Sequence, residues 1–318
     1  MMNRGWVHIV FTYTVVFSSC ELALDVGDDL DYEDQLVVGA VLQPDSVIKV
    51  SVARSEFILE RDNSFSQSHL QVRDAAVSVF EDGVLLASSN ESVSQEDAAF
   101  AIYRFPFLPI EERTYTIEVA REGFPTATAT EFLSSQKPMA DLNEVDVNIS
   151  ATEEFSQGTV NFSVEIEDQT GDDYFEIVVY SQFDGPVLVE TDSGFFYQRD
   201  SSVTQTTSLF LNSNSIVFED YFFDMYVFDD RLFSESNFSI RFSTDFFYEK
   251  GDFDPNAKIL VVVRRLSEAY FDYLSSSALQ WWLEGDPFAE PVQIYSNVEN
   301  GLGIVGSFNQ VVLEIPLE

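Results

Sequence analysis

Cysteine is almost missing from this 318-residue chain: Cys20 is its single one, so no disulfide can form within it and stability must come from packed cores. Histidine is nearly as scarce. Only His8 and His69 occur, which leaves no imidazole cluster for zinc and no Cys-His pair for nucleophilic catalysis. His69 lies in the polar stretch Ser64-Phe-Ser-Gln-Ser-His-Leu70, which has no nucleophile-elbow pattern, and reads as an ordinary exposed histidine. Basic residues are few as well: 16 Lys and Arg face 55 Asp and Glu, a formal net charge of −39 that repels phosphate backbones and anionic lipid head groups. That field excludes nucleic acid as a partner. Long apolar runs are also lacking. No stretch approaches the roughly eighteen consecutive apolar residues of a membrane-spanning helix, so everything after Cys20 is expected on one side of a membrane.

What the chain does have begins at its N-terminus. Asn3 and Arg4 form a short polar, basic start, Val7 to Phe17 is an apolar run too short to cross a bilayer, and small residues follow. The ending Val16-Phe17-Ser18-Ser19-Cys20 resembles the lipobox of bacterial lipoproteins, with Phe17 where the pattern usually has Leu. The resemblance implies a signal peptide over 1–19, cleaved before Cys20, and acylation of Cys20. Several acyl chains, each buried CH₂ contributing about 0.8 kcal/mol, would then hold the protein at a membrane stably. Residues 20–35 carry Asp25, Asp28, Asp29, Asp31, Glu33 and Asp34 with little apolar periodicity and read as an acidic tether.

Beyond the tether the composition is that of a folded chain, 45% hydrophobic and 14% aromatic, and its length suits two β domains. In 36–137, runs at 36–42, 47–53, 76–81, 99–105, 114–120 and 126–132 are separated by turn residues, which predicts a β-sandwich. Alternation is clean in Ile48, Val50, Val52 and in Tyr115, Ile117, Val119, so one face of each strand is buried. Asp82-Gly83 supplies the positive φ angles of a tight hairpin. The stretch around Thr114 to Phe124 looks like the immunoglobulin-like or carboxypeptidase-regulatory-like sandwiches of bacterial envelope proteins, modules that usually bind or space.

A second β-rich domain is expected over 138–318, with strands near 159–167, 174–182, 238–244 and 259–264. Ser267 is placed to cap a helix over about 268–283, with Tyr270, Leu274, Ala278 or Ser277, and Trp281 along one face, and Gly285-Asp286-Pro287 stopping it. Trp281 and Trp282 point about 100° apart on such a helix. The favoured reading is core packing, and the alternative is a surface for sugar stacking or protein contact. Asn297, Asn300, Gly301, Gly303 and Gly306 favour a tight, irregular backbone, either a close-packed loop or a binding edge, with the loop favoured. For calcium, Asp252-Phe-Asp254-Pro-Asn256 places oxygens at alternate positions but lacks the Gly and closing Glu of an EF-hand. Asp168 to Asp173 and Asp229-Asp230 are further oxygen clusters, with acidic turns the simpler account. No metal and no cofactor is expected.

Several separated segments resemble one family of Bacteroidota lipoproteins, catalogued as domain of unknown function 4249. They are Val37-Val-Gly39, Pro44-Asp45, Val50-Ser51, Arg113-Thr-Tyr115, Asp173-Tyr174-Phe175, Asp229-Asp-Arg-Leu-Phe233, Asp286-Pro-Phe-Ala-Glu-Pro291 and Ser296-Asn-Val-Glu-Asn-Gly-Leu-Gly-Ile304. The resemblance implies an outer-membrane lipoprotein often associated with a TonB-dependent transporter, and supplies no catalytic residues. A non-enzymatic, mainly β protein follows as the expectation, lipid-anchored through Cys20. A surface carbohydrate-binding or adhesive lipoprotein is the alternative, motivated by the aromatic content and by Trp281-Trp282.

Overall fold

A computed structural model describes residues 33–56, 68–93, 98–151, 155–167, 169, 171–191, 194–211, 219–222, 225–232, 237–249, 257–283, 289–290 and 292–317. The leader and Cys20 lie outside these residues, as do Asp168, the 252–256 segment and the helix stop at 285–287. The chain is mainly β. Its first seven strands are β1 (Leu36–Leu42), β2 (Ile48–Arg54), β3 (Ala76–Glu81), β4 (Val84–Ser89), β5 (Ala101–Phe105), β6 (Arg113–Ala120) and β7 (Ala127–Leu133). The alternation read in the sequence is the burial pattern observed, with Ile48, Val50 and Val52 inward on β2 and Tyr115, Ile117 and Val119 inward on β6. At the β3–β4 hairpin Asp82 and Gly83 have φ of 48° and 79°, as a tight two-residue turn requires.

The second region contributes β8 (Ala140–Ala151), β9 (Phe155–Ile166), β10 (Tyr174–Thr191), β11 (Gly194–Thr206), β12 (Leu209–Leu211), β13 (Glu219–Phe222), β14 (Met225–Asp229), β15 (Phe238–Glu249) and β16 (Lys258–Leu266). The helix α1 (Glu268–Leu283) and the last strand β17 (Leu302–Pro316) complete it. Three sheets result among the described residues. One runs β13-β14-β10-β16-β17-β1-β2-β5 with β11 added to β10, and the four-stranded sheets are β12-β15-β9-β8 and β4-β3-β6-β7.

The last strand joins the two regions. Its first half lies parallel to β1, pairing Leu302 with Val37 through Ser307 with Leu42, and its second half lies antiparallel to β16, pairing Phe308 with Leu266 through Pro316 with Lys258. Because side chains alternate along a strand, the odd positions of β17 share one face. Val305 belongs to the core under β3 and β6, whereas Val311, Leu313 and Ile315 belong to the core under β9 and β15. Each small sheet therefore covers one half of the same face of the large sheet. The first core holds two fully buried tyrosines whose hydroxyls are satisfied: Tyr103 donates to the Val72 carbonyl at 2.9 Å, and Tyr115 donates to Glu81 Oε2 at 2.7 Å. The second is aromatic, with Phe175 stacked on Phe228 at 5.6 Å and Phe238 edge-on to Phe228 at 5.9 Å. On the opposite face α1 packs Leu274 and Ala278 against Leu266, Phe308 and Val227.

The expected irregular loop thus ends earlier than the glycines suggest: Gly303 and Gly306 sit inside β17. Gly303 has φ of 113°, and an added Cβ would overlap the Val38 carbonyl of β1. At Gly306 a Cβ would come within 2.6 Å of the Tyr270 Cβ, so its hydrogen is what lets α1 rest on the strand. Close approach, and not a loop, accounts for both residues. Gly123 also has positive φ, 86°, but a Cβ added there would meet nothing within 4 Å. Gly303→Ala is therefore expected to cost at least roughly 2 kcal/mol more than Gly123→Ala in urea unfolding, since only the first adds a backbone overlap to the strained φ. Equal losses would contradict the packing role of Gly303.

Candidate binding surface

Ser267 caps α1 as its sequence position suggests, its Oγ accepting from the Tyr270 amide at 3.4 Å and also from the Ser307 amide of β17 at 3.2 Å. The cap thereby ties the helix start to the shared strand. Further along, the chain returns beside the helix: the Tyr295 amide donates to Ser276 Oγ at 2.8 Å and the Val292 amide to Gln280 Oε1 at 2.8 Å. Ser276 and Gln280 are four residues apart and share one helix face, so 292–295 runs along that face. This leaves Leu279, Ile294, Tyr295 and both tryptophans exposed at the C-terminal half of α1.

The tryptophans correct the expectation of core packing. Trp281 keeps 46% of its surface exposed and Trp282 59%, with their rings 6.2 Å apart and nearly perpendicular at 85°. The helix face that does enter the core is Tyr270, Leu274 and Ala278, and it ends one turn short of Trp281. Both Asn side chains hydrogen-bond to backbone groups. The Asn297 side chain bonds the Val305 backbone both ways, Nδ2 donating to the carbonyl at 2.8 Å and Oδ1 accepting from the amide at 3.0 Å, as a strand neighbour would. Asn300 adopts φ of 56° and donates to the Thr126 carbonyl at 3.4 Å, while Glu299 exchanges two backbone hydrogen bonds with Thr128 of β7. The 297–301 turn is pinned across the first sandwich as a close-packed loop.

Among the described residues, two of the acidic candidates form ion pairs. Asp173 is ion-paired with Arg265 and Asp229 with Arg231, and the Asp230 amide donates to the Asp173 carbonyl at 3.0 Å. Among the described residues no group of three or more His, Cys, Asp or Glu is placed to hold a metal ion. His69 contacts Glu56 at 3.1 Å in a short turn on the surface.

Sequence reading missed two polar features, one beneath α1 and one on the opposite face of β17. Glu176, almost fully buried on β10, pairs at 2.7 Å with Arg264 of β16, whose guanidinium also reaches the Tyr180 hydroxyl at 3.3 Å and lies 4.7 Å over the Phe308 ring. Burial pushes the neighbouring Tyr270 phenol up to about 12, and the Glu176 charge adds to the shift. The second feature is Glu131, 7% exposed on the inward row Ala127, Ala129, Glu131, Leu133 of β7. Its Oε1 accepts from Ser307 Oγ of β17 at 2.6 Å. Glu131 helps line a cleft of about 480 Å³ with Phe132, Tyr174, Arg265, Glu268 and Asn309, where both sandwiches and the helix start converge. A more open cleft of about 630 Å³, with Asn148, Thr159, Asp245 and Phe247, lies at the far end of β9 and β15. The signal for Glu131 and Glu176 was present as a carboxylate at an apolar position of an alternating strand, obscured by the abundance of acids.

These features define a β-sandwich protein with an aromatic outer surface and buried polar seams joining its parts. The chain belongs to the family described as Domain of unknown function (DUF4249), which it matches over residues 21–313. A search among curated proteins found no match.

Burial raises the Glu131 carboxyl above its usual 4.5, against the lowering effect of hydrogen bonds from Ser307 and Ser267. A raised acid binds its proton more tightly folded than unfolded, so its contribution to stability falls as pH rises from 4.5 through the folded value. Glu131→Gln keeps the neutral shape, and its urea midpoint should exceed that of the parent at about pH 8 while the difference vanishes near pH 4. A variant less stable than the parent at both pH values would contradict this.

Proposed function

We propose that this chain is a non-enzymatic outer-membrane lipoprotein, anchored through an acylated Cys20, that serves as an accessory or binding partner of a TonB-dependent transporter. The observation that carries the binding role is the exposed set Leu279, Trp281, Trp282, Ile294 and Tyr295, because large apolar side chains gathered on a rigid helix and its companion segment are unusual on a surface with no partner. The lipobox-like Val16-Phe-Ser-Ser-Cys20 supports the anchor, and the transporter as partner is what the sequence resemblance implies. No helix among the described residues is long and apolar enough to cross a membrane.

The perpendicular tryptophan pair favours a second reading, a surface carbohydrate-binding or adhesive lipoprotein in which a sugar ring stacks on Trp282 or Trp281. One experiment separates the two. A copy tagged after Glu318 is purified in mild detergent from native outer membranes, with Cys20→Ala as the placement control. Stoichiometric co-elution of a TonB-dependent transporter, lost in Trp281→Ala/Trp282→Ala, is the expected result. A solitary lipoprotein that binds a glycan array through the same tryptophans would overturn the transporter reading in favour of the sugar. A chain that stays out of the membrane fraction with Cys20 intact would reject both.

A further inference from the structure

Two of the buried carboxylates are answered by an arginine, Glu176 by Arg264 and Asp173 by Arg265. Glu131 is answered by none. It is more than nine-tenths buried, yet its partners are the hydroxyls of Ser307, at 2.6 Å, and Ser267, and no Lys or Arg among the described residues pairs with it. A charge removed from water without a counter-ion costs stability. A Gln of the same shape would accept from the same hydroxyls, so tying β7 to β17 does not require the charge. The charge does, however, face open space: Glu131 lines the cleft of about 480 Å³ where β7, the start of α1 and β17 meet. Clefts of roughly 300–1,000 Å³ are the size that holds small molecules.

The walls narrow the ligand. Phe132, Tyr174 and Phe308 line the cleft with aromatic rings, and Tyr174 is held in place by stacking on Phe271 at 4.7 Å. Asp172 and Glu268 add negative charge. The one cation in the lining, Arg265, is bound by Asp173 and Gln169, so its charge is met within the fold. An anion would meet three acids, and a neutral molecule would leave the buried charge unanswered. A bare metal ion lacks ligands, since no group of three or more His, Cys, Asp or Glu among the described residues is placed to hold one. We infer that this cleft takes a small organic amine, its ammonium seated against Glu131 and its aliphatic stem along Phe132 and Tyr174. The ammonium supplies the counter-charge that Glu131 lacks, and the rings accept both the stem and the cation.

The inference goes beyond the transporter reading and does not rest on it. Isothermal titration of the full chain in mild detergent with n-butylamine tests it, with 1-butanol as the same stem without the charge and detergent alone as the blank. The parent is expected to bind n-butylamine with a dissociation constant of about a millimolar, at least about tenfold more tightly than 1-butanol. Glu131→Gln should lose that tenfold preference. Phe132 is half exposed, so Phe132→Ala keeps the fold and carries the test should the Gln variant misfold. It should weaken n-butylamine several-fold by removing a wall while leaving the preference for amine over alcohol in place. Amine and alcohol binding alike to the parent would overturn the inference, as would n-butylamine affinity undiminished in both variants. Neither outcome touches the transporter reading, which is read from co-elution and not from amine binding.

Discussion

The parallel pairing of β1 with the first half of β17 is the constraint on which the rest of this structure depends. It brings the first and last strands of the fold side by side, and the second half of β17 carries the same sheet onward to β16 and β10. Neither sandwich is complete without this strand: Val305 fills one core while Val311, Leu313 and Ile315 line the other. A long connection must close before such a contact forms, so the pairing has to be specific enough to offset that loop entropy. Gly303 supplies specificity by allowing backbone contact with Val38 that no side chain permits.

The helix depends on the same strand. Gly306 and Phe308 face α1, Ser267 caps the helix while holding the Ser307 amide, and Ser307 turns its hydroxyl to Glu131 on the other face. Through residues 303–308, β1, β7, β16 and α1 are all fixed relative to one another. Beneath the helix the Glu176–Arg264 pair is shielded by Tyr270 and Phe308, where removing one partner alone would strand a charge at a cost of about 3–5 kcal/mol. Rigid placement matters for recognition, because an aromatic surface held in one geometry loses less entropy on binding than one that must be ordered first.

Much of this was legible in the sequence where the signal is local. Alternation located β1 and β3 residue for residue, Asp82-Gly83 marked its hairpin, and Ser267 with the following apolar spacing marked α1. Long-range relations were hidden. Nothing in Leu302–Pro316 states that its two halves serve different cores, and its glycines read as loop punctuation because their close neighbours, Val38 and Tyr270, are far away in sequence. Helical periodicity placed Trp281 on the buried row, but burial along that row stops at Ala278 and Trp281 stays exposed. Strand β10 was half seen: 174–182 read as a strand from its apolar run, and the continuation to Thr191 past Gly185-Pro186 did not.

The central claim is that β17 makes one cooperative body of two sandwiches. Hydrogen exchange followed by mass spectrometry along a urea gradient tests it directly, comparing peptides from β3 and β6 with peptides from β9 and β15. A shared strand predicts that both sets lose protection at one urea concentration. Two well-separated midpoints, with one sandwich fully protected while the other exchanges, would contradict it.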